Sequence, residues 1–326
     1  MFSVTNNKGF IPQSEQFEDR EMVGEDIKAY KIIHKDDFAY NPARINVGSI
    51  AKYKGENPCM ISSLYVCFKT NPKIDNDWMM QLLKTPKMNF YYNINGEGGV
   101  RIYLFYPNFA RIRTSYPTLQ EQQKISSFLA LLDERIATQI KIIEKLESLI
   151  KGLCLKLNQQ GKPNVTLNEC LECYSSTLQE SSVLEAGIFP VYGATGICGY
   201  TDAPEVNGDS ILIIKDGASV GVTYYASGEY SAIGTLNRLV AKSGYSLRYL
   251  YYCLKVFNFA PYRTGLAIPH IYFRDYGKAQ VWCPSIEEQS RIANALETVE
   301  QKIATEKSLL EQLYSQKRFL LQAMFI

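Results

Sequence analysis

Apolar positions along the chain follow two rhythms. Over residues 117–160 and 284–326 they recur in steps of three and four, averaging close to 3.5, the coiled-coil period. The first seam is Ile125, Leu129, Leu132, Ile136, Ile140, Ile143, Leu146, Ile150, Leu153 and Leu157; the second is Ile292, Leu296, Val299, Ile303, Leu310, Leu313, Leu320 and Met324, interrupted by Glu306 and Lys317. Each predicts a long helix, and about forty residues at 1.5 Å each make a rod of roughly 60 Å. Thr118-x-x-Glu121 and Ser285-x-x-Glu288 predict a capping box at each mouth, and a proline just ahead stops the helix extending backwards. Elsewhere the pattern shortens. Ser62–Lys69 and Asp209–Lys215 read as buried strands, Asp77–Lys84 and Ser246–Leu254 as short helices.

The two long helices are related in sequence. Aligned from Pro117 and Pro284 without a gap, about a dozen of some forty positions are identical. Glu121-Gln122 matches Glu288-Gln289, and Ile136-Ala137-Thr138 matches Ile303-Ala304-Thr305. Order and spacing extend the match: Gly48–Lys69 can be laid on Gly221–Lys242, and the helix at Trp78 falls near that at Tyr249. The predicted fold is α+β. Two mixed α/β globules, 1–116 and 161–283, are each followed by a long helix, 117–160 and 284–326, in a pseudo-twofold internal repeat. Gly161-Lys162-Pro163 is the linker. A lone rod with such a seam would expose too much apolar surface, so the helices are expected to pair. If each leaves its globule in the same local way, they run antiparallel, as a coiled-coil spacer between the globules. The expected helix-pair interface is Ile125, Leu129, Leu132, Ile136, Ile143, Leu146, Ile150, Ile292, Leu296, Val299, Ile303, Leu310 and Leu313. A second apolar set, Phe128, Leu131, Ile142, Leu149 and Leu155, is explained either by contact with the helix's own globule or by docking of other subunits.

Composition narrows the function classes. The chain has 326 residues, enough for two ordinary cores, and a formal charge of +2, which gives no bulk argument for nucleic acid but allows a locally basic face. No apolar run reaches membrane-spanning length, and Met1–Lys8 lacks the apolar stretch of a signal peptide, so the cytoplasm is expected. Eight cysteines without a framework suit reduced thiols. Cys170-x-x-Cys173 lacks a second pair at finger-like spacing, so no metal site is expected. The sequence has no GxxxxGK[ST] loop, and Gly193-x-x-Gly196-x-x-Gly199 reads as an ordinary loop because it does not open a clear helix. His34 and His270 are the only histidines, and neither sits in a recognisable catalytic motif. The Asn-Pro pairs do not form the Asn-Pro-Pro-Tyr signature of amino methylases. A non-enzyme is expected.

The phrase Pro, small polar, apolar, Gln or Glu, Glu-Gln, then Ile at the mouth of a long helix occurs twice, and with the duplication the chain resembles the specificity subunit of type I restriction–modification systems. Phe189–Gly196, Gly208–Ile214 and Phe38–Gly48 also resemble openings of its target-recognition domains. The resemblance covers nearly the whole chain. It implies that each globule reads one half of a bipartite duplex target, that the helices set the spacing, and that methylation subunits dock on them. A motor–nuclease subunit then joins through the methylation core. The chain would hold no cofactor itself, with S-adenosylmethionine, ATP and Mg on partner subunits. Family members usually begin with a further segment, so the first globule is expected to be incomplete at its front. Two other readings remain: a non-catalytic coiled-coil scaffold without DNA specificity, and a truncated recombination-cassette copy inactive on its own.

Phosphate contacts need Lys, Arg or polar donors, and base readout favours Arg, Asn, Gln and Lys. In the first globule the candidates are Tyr40, Asn41, Arg44, Asn46, Lys52 and Arg101, in loops mixing basic, amide and aromatic groups. In the second they are Lys215, Ser219, Tyr224, Asn237, Arg238, Arg263, Thr264 and His270.

Overall fold

A computed structural model describes residues 1–16, 29–99 and 101–325. Its contacts divide the chain into two compact units, Met1–Ile140 with Leu309–Ile326, and Lys141–Ser308. The long helices run Leu119–Gln159 and Ile286–Met324, so each gives one part to each unit.

The first unit holds two small sheets. One is ordered Gly9–Pro12, Phe2–Thr5, Cys59–Ile61, Lys31–Ile33, with Phe2–Thr5 and Cys59–Ile61 parallel. The other is ordered Ile50–Lys52, Phe38–Tyr40, Val66–Phe68 and is antiparallel. The expected strand over Ser62–Lys69 is therefore only Val66–Phe68. Its front is a turn, because Ser62 Oγ accepts the N–H of Leu64 and Ser62 O that of Tyr65. The short helix Asn76–Leu83 buries Trp78, Leu82 and Leu83 against Leu129 and Phe325. Asp75 caps it, its carboxylate accepting the N–H of Trp78 at 2.7 Å.

The second unit has two four-stranded sheets and a short two-stranded one, Gln280–Val281 with Val165–Thr166. Gly196–Thr201, Phe189–Gly193, Glu229–Ala232 and Val206–Asn207 form one; Thr223–Ala226, Ser210–Ile214, Leu236–Ala241 and Leu171–Ser175 form the other. Ser210–Ile214 is wholly buried, as expected of a continuous apolar run in a central strand. The glycines 193, 196 and 199 lie on a β-hairpin, with Gly193 paired to Gly196. Gly196 turns it at φ +102°, a conformation that disfavours other side chains. Leu247–Lys255, capped by Ser246, packs on the second long helix through Arg248–Glu297 at 2.9 Å and Tyr252 Oη–Glu300 at 2.9 Å.

The helix mouths use the predicted chemistry. Thr118 N–H donates to Glu121 at 3.0 Å, and Glu121 N–H donates back to Thr118 Oγ1 at 3.4 Å. At the second mouth the return bond forms, Glu288 N–H to Ser285 Oγ, while the Glu288 carboxylate meets Arg291 one turn on at 3.1 Å.

The apolar seam does more than pair helices. In the first unit Leu132, Ile136 and Leu313 form a core of their own with Ile140, Leu309, Leu310 and Leu320 packed on it. Asp133 meets Lys317 beside it, so one charged interruption of the second seam is answered across the pair. Chain numbers rise on one helix as they fall on the other, which makes this stretch antiparallel. Ile125 and Leu129 instead join the globule's core with Trp78. In the second unit Leu146, Ile150, Ile292, Leu296, Val299 and Ile303 belong to the globule's main core, and Glu147 pairs with Lys307 at 2.6 Å. Ile143 is buried as well. The thirteen positions expected at the helix pair are thus shared among three cores, two of which include the short helices of the globules. The second apolar set is exposed throughout: Phe128, Leu131, Ile142, Leu149 and Leu155.

Candidate nucleic-acid interface

The sequence candidates of the second unit separate into two groups. Lys215, Ser219, Arg263, Thr264 and His270 come together on two loops. The first leaves the buried strand Ser210–Ile214 and turns at Gly217 (φ +101°) and Gly221 (φ +93°). A Cβ at Gly221 would stand 2.7 Å from the Phe259 ring, so glycine is required for the close approach as well. The second is a hairpin closed by reciprocal backbone bonds between Thr264 and His270, with Gly265 at φ +87° and Leu266 and Ile268 exposed at its tip.

Several bonds brace the hairpin on the first loop. Gly217 N–H donates to Pro269 O at 3.0 Å, Ile271 N–H to Lys215 O at 2.9 Å, and Arg263 Nη2 to Val220 O at 2.9 Å. Asp216 sits between the titratable groups. Its Oδ2 takes Lys215 Nζ at 2.9 Å, and its Oδ1 lies 2.7 Å from His270 Nδ1. Desolvation works to raise its carboxyl, but the bonds from His270 and Lys215 outweigh it and hold it below the ordinary value. An Nδ1–H facing Asp216 leaves the Nε2 of His270 for another partner. Two cationic side chains, an imidazole and two hydroxyls thus lie on a stiffened loop pair, the kind of donor set that phosphate and base edges accept.

Asn237, Tyr224 and Arg238 are not part of this group. Asn237 is a correction: it is 5% exposed, and its Oδ1 accepts Ser175 Oγ at 3.0 Å across neighbouring strands. Tyr224 donates its Oη to Ala194 O at 2.9 Å. The Arg238 guanidinium lies 4.4 Å from the centre of the Tyr174 ring.

The first unit brings Asn41, Arg44, Asn46 and Arg101 onto adjoining loops, tied where Leu104 N–H donates to Pro42 O at 3.0 Å. Asn41 Oδ1 accepts the N–H of Ala43 and shapes the turn; Asn46 Nδ2 reaches Asn93 Oδ1 at 3.2 Å; Arg44 and Arg101 are exposed. Two candidates are corrected. Tyr40 is fully buried in the strand Phe38–Tyr40, among the rings of Phe68 and Phe109, and burial pushes its hydroxyl pKa up. Lys52 has a side chain 7% exposed, with its ammonium held by Asp36 at 3.1 Å and Asp77 at 2.7 Å. Both lie at the ends of short strands, where sequence cannot tell an inward from an outward side chain.

Sequence reasoning missed Asp216, whose role depends on a histidine far along the chain. It also missed Leu266 and Ile268, although apolar residues between Gly265 and Pro269 in a turn were a readable signal. Among the described residues no group of His, Cys, Asp and Glu could hold a metal ion, and no helix is long and apolar enough to cross a membrane. The Cys170 thiol meets Cys283, and the two raise its pKa together with burial.

Residues 164–315, which include the whole loop pair, match the family described as Type I restriction modification DNA specificity domain. A stretch of 113 residues is 26% identical to the EcoprrI type I restriction enzyme specificity subunit of Escherichia coli, spanning 35% of this chain and 28% of that protein's length. The fold is similar to the S subunit of a type I restriction–modification system from M. genitalium, with TM-score 0.61 and 19% identity over 90% of this chain and 84% of that one. It is also similar to a chain from a study of complex assembly and conformational transition of the type I R-M system, with TM-score 0.59 and 17% identity over 90% and 83%. Residues 164–315 thus match the specificity domain of type I restriction–modification systems in sequence, and nine-tenths of the chain is similar in fold to an S subunit of such a system.

Proposed function

We propose that this chain is the DNA-recognition subunit of a type I restriction–modification assembly, each unit reading one half of a bipartite duplex target. The observation that carries this reading is the braced loop pair 215–221 and 263–270, which lies inside the matched specificity domain and holds out cationic and hydroxyl donors. Arg44, Asn46 and Arg101 are the corresponding readers of the first unit. The long helices set the distance between half-sites, as a two-part reader must keep register with the duplex turn. The exposed second apolar set of the first helix, Phe128, Leu131, Ile142, Leu149 and Leu155, docks methylation subunits, and the motor–nuclease subunit joins through the core that they form with this chain. The chain itself is non-catalytic and acts in the cytoplasm. S-adenosylmethionine, ATP and Mg belong to the partners.

Co-expression with the methylation subunit, followed by genome-wide mapping of methylated bases, tests the reading. A split motif that changes when Lys215 and Arg263 are replaced supports it. Methylation indifferent to sequence sinks it, and methylation by this chain alone overturns the non-catalytic assignment.

A further inference from the structure

Five lysines of the first unit line one cavity, away from the loops assigned above. A space of about 550 Å³ is lined by Lys8, Lys52, Lys54, Lys84 and Lys317 with a single acidic residue, Asp133. Its volume falls within the roughly 300–1,000 Å³ of small-ligand pockets. Two of the five ammoniums are already answered: Lys52 by Asp36 and Asp77, which reach it from outside the cavity wall, and Lys317 by Asp133. Lys8, Lys54 and Lys84 have no carboxylate partner among the described residues. Lys84 is pushed below the ordinary lysine value, first by desolvation, then by the nearby charge of Lys317 and Lys54, with Asp133 opposing. Like charges converging on one space store repulsion that an anion would relieve.

The rest of the lining mixes the aromatic rings of Phe2, Phe10 and Tyr53 with Asn7, Ala51, Met80 and Gln81. Phe2 and Phe10 line the cavity and meet Tyr53 edge-on, with ring centroids 6.0 Å and 5.1 Å away, so their half-buried rings are held in place. Cations gathered next to fixed aromatic rings match a ligand with a phosphoryl group on one side and a flat ring on the other.

We propose that this cavity binds a nucleoside phosphate, with Lys54 and Lys84 taking the phosphoryl oxygens and Phe2 and Phe10 flanking the base. The same chemistry is offered by a free nucleotide and by the phosphorylated end of a single strand. The site does not depend on the recognition function proposed above, because none of its residues lies on the assigned reading loops.

Isothermal titration of the full chain with dAMP, inorganic phosphate and a 5′-phosphorylated single-stranded oligonucleotide, at constant ionic strength, tests it. The expected result is one dAMP per chain, bound more tightly than phosphate. A Lys54→Gln/Lys84→Gln variant should lose about tenfold in dAMP affinity with an unchanged melting temperature, and Lys84→Arg should retain binding. An oligonucleotide tighter than dAMP assigns the site to a strand end; one no tighter assigns it to the free nucleotide. No binding, equal affinity for phosphate and dAMP, or unchanged affinity in the double variant overturns the proposal.

Discussion

The backbone N–H of Asp75 donates to Oε1 of Gln122 at 2.8 Å, while Nε2 of Gln122 donates to Pro117 O at 2.9 Å and Lys73 O at 3.1 Å. In the second unit Ser246 N–H donates to Gln289 Oε1 at 2.9 Å, and Gln289 Nε2 to Pro284 O at 2.9 Å. Both glutamines are buried, and each ties the cap of a short helix to the mouth of a long one. Gln122→Ala leaves the N–H of Asp75 and the carbonyls of Lys73 and Pro117 without their partner and should cost about 1–3 kcal/mol. Urea unfolding reads this directly. A loss no larger than that of the exposed neighbour Gln123→Ala would refute the clamp.

Leu132, Ile136 and Leu313 fill the small core between the helices of the first unit. Truncating Leu132 or Leu313 to alanine should each cost about 2–5 kcal/mol through lost burial and an unfilled cavity. Because both line the same space, the double variant should lose measurably less than the two single losses together. Strict additivity in a thermodynamic cycle would deny the contact.

Charge position should separate a lysine proposed to bind DNA from a structural one. Lys215→Gln should weaken duplex binding of the assembled complex and lower the salt-dependence slope by about 1, as one phosphate contact is lost. Lys52→Met should leave that slope unchanged and lower stability instead, since it strands Asp36 and Asp77 without their shared cation. Reversed effects would exchange their roles.

The depressed carboxyl of Asp216 makes the loop brace sensitive to acid. Its folded value lies below its ordinary 3.8, so its stabilisation is fully present above that value and is lost as pH falls through the folded value. The contribution is about 1 kcal/mol or less, because the partners are partly solvated. Asp216→Asn should remove the corresponding part of the loss in urea midpoint between about pH 6 and pH 3. Identical pH profiles for the two proteins would rule out the linkage.

Thiol accessibility gives a simple check of the second unit. Cys198 is the exposed cysteine of the described residues, whereas Cys154, Cys170, Cys253 and Cys283 are buried. Burial also raises Cys154 to about 11 and Cys253 to about 12, away from the reactive thiolate. Maleimide labelling of the native chain, read by peptide mass, should modify Cys198 first. Early labelling of Cys154 would contradict the packing.

Much of the architecture could be read because it rests on periodicity. The heptad seams, the caps at Thr118 and Ser285, the strand Ser210–Ile214 and the helix at Tyr249 all follow from local residue order. The interface was less legible. Arg263 and His270 could be chosen as loop donors, but Asn237 and Tyr40 look equally eligible in sequence and are buried by sheet pairing. Lys52 was misread for a related reason, since its two carboxylates arrive from Asp36 and Asp77 on separate elements. The Lys84 cavity had no sequence signature, because its five lysines are scattered from Lys8 to Lys317.

The glutamine clamps have one more consequence. Gln289 fastens Ser246 and Pro284 to a single foundation, and the chain between them carries the hairpin Thr264–His270. One side chain therefore holds both ends of the segment that carries the hairpin, and its loss would release the two ends together, so that a defect at the helix mouth would be felt at the loop tip.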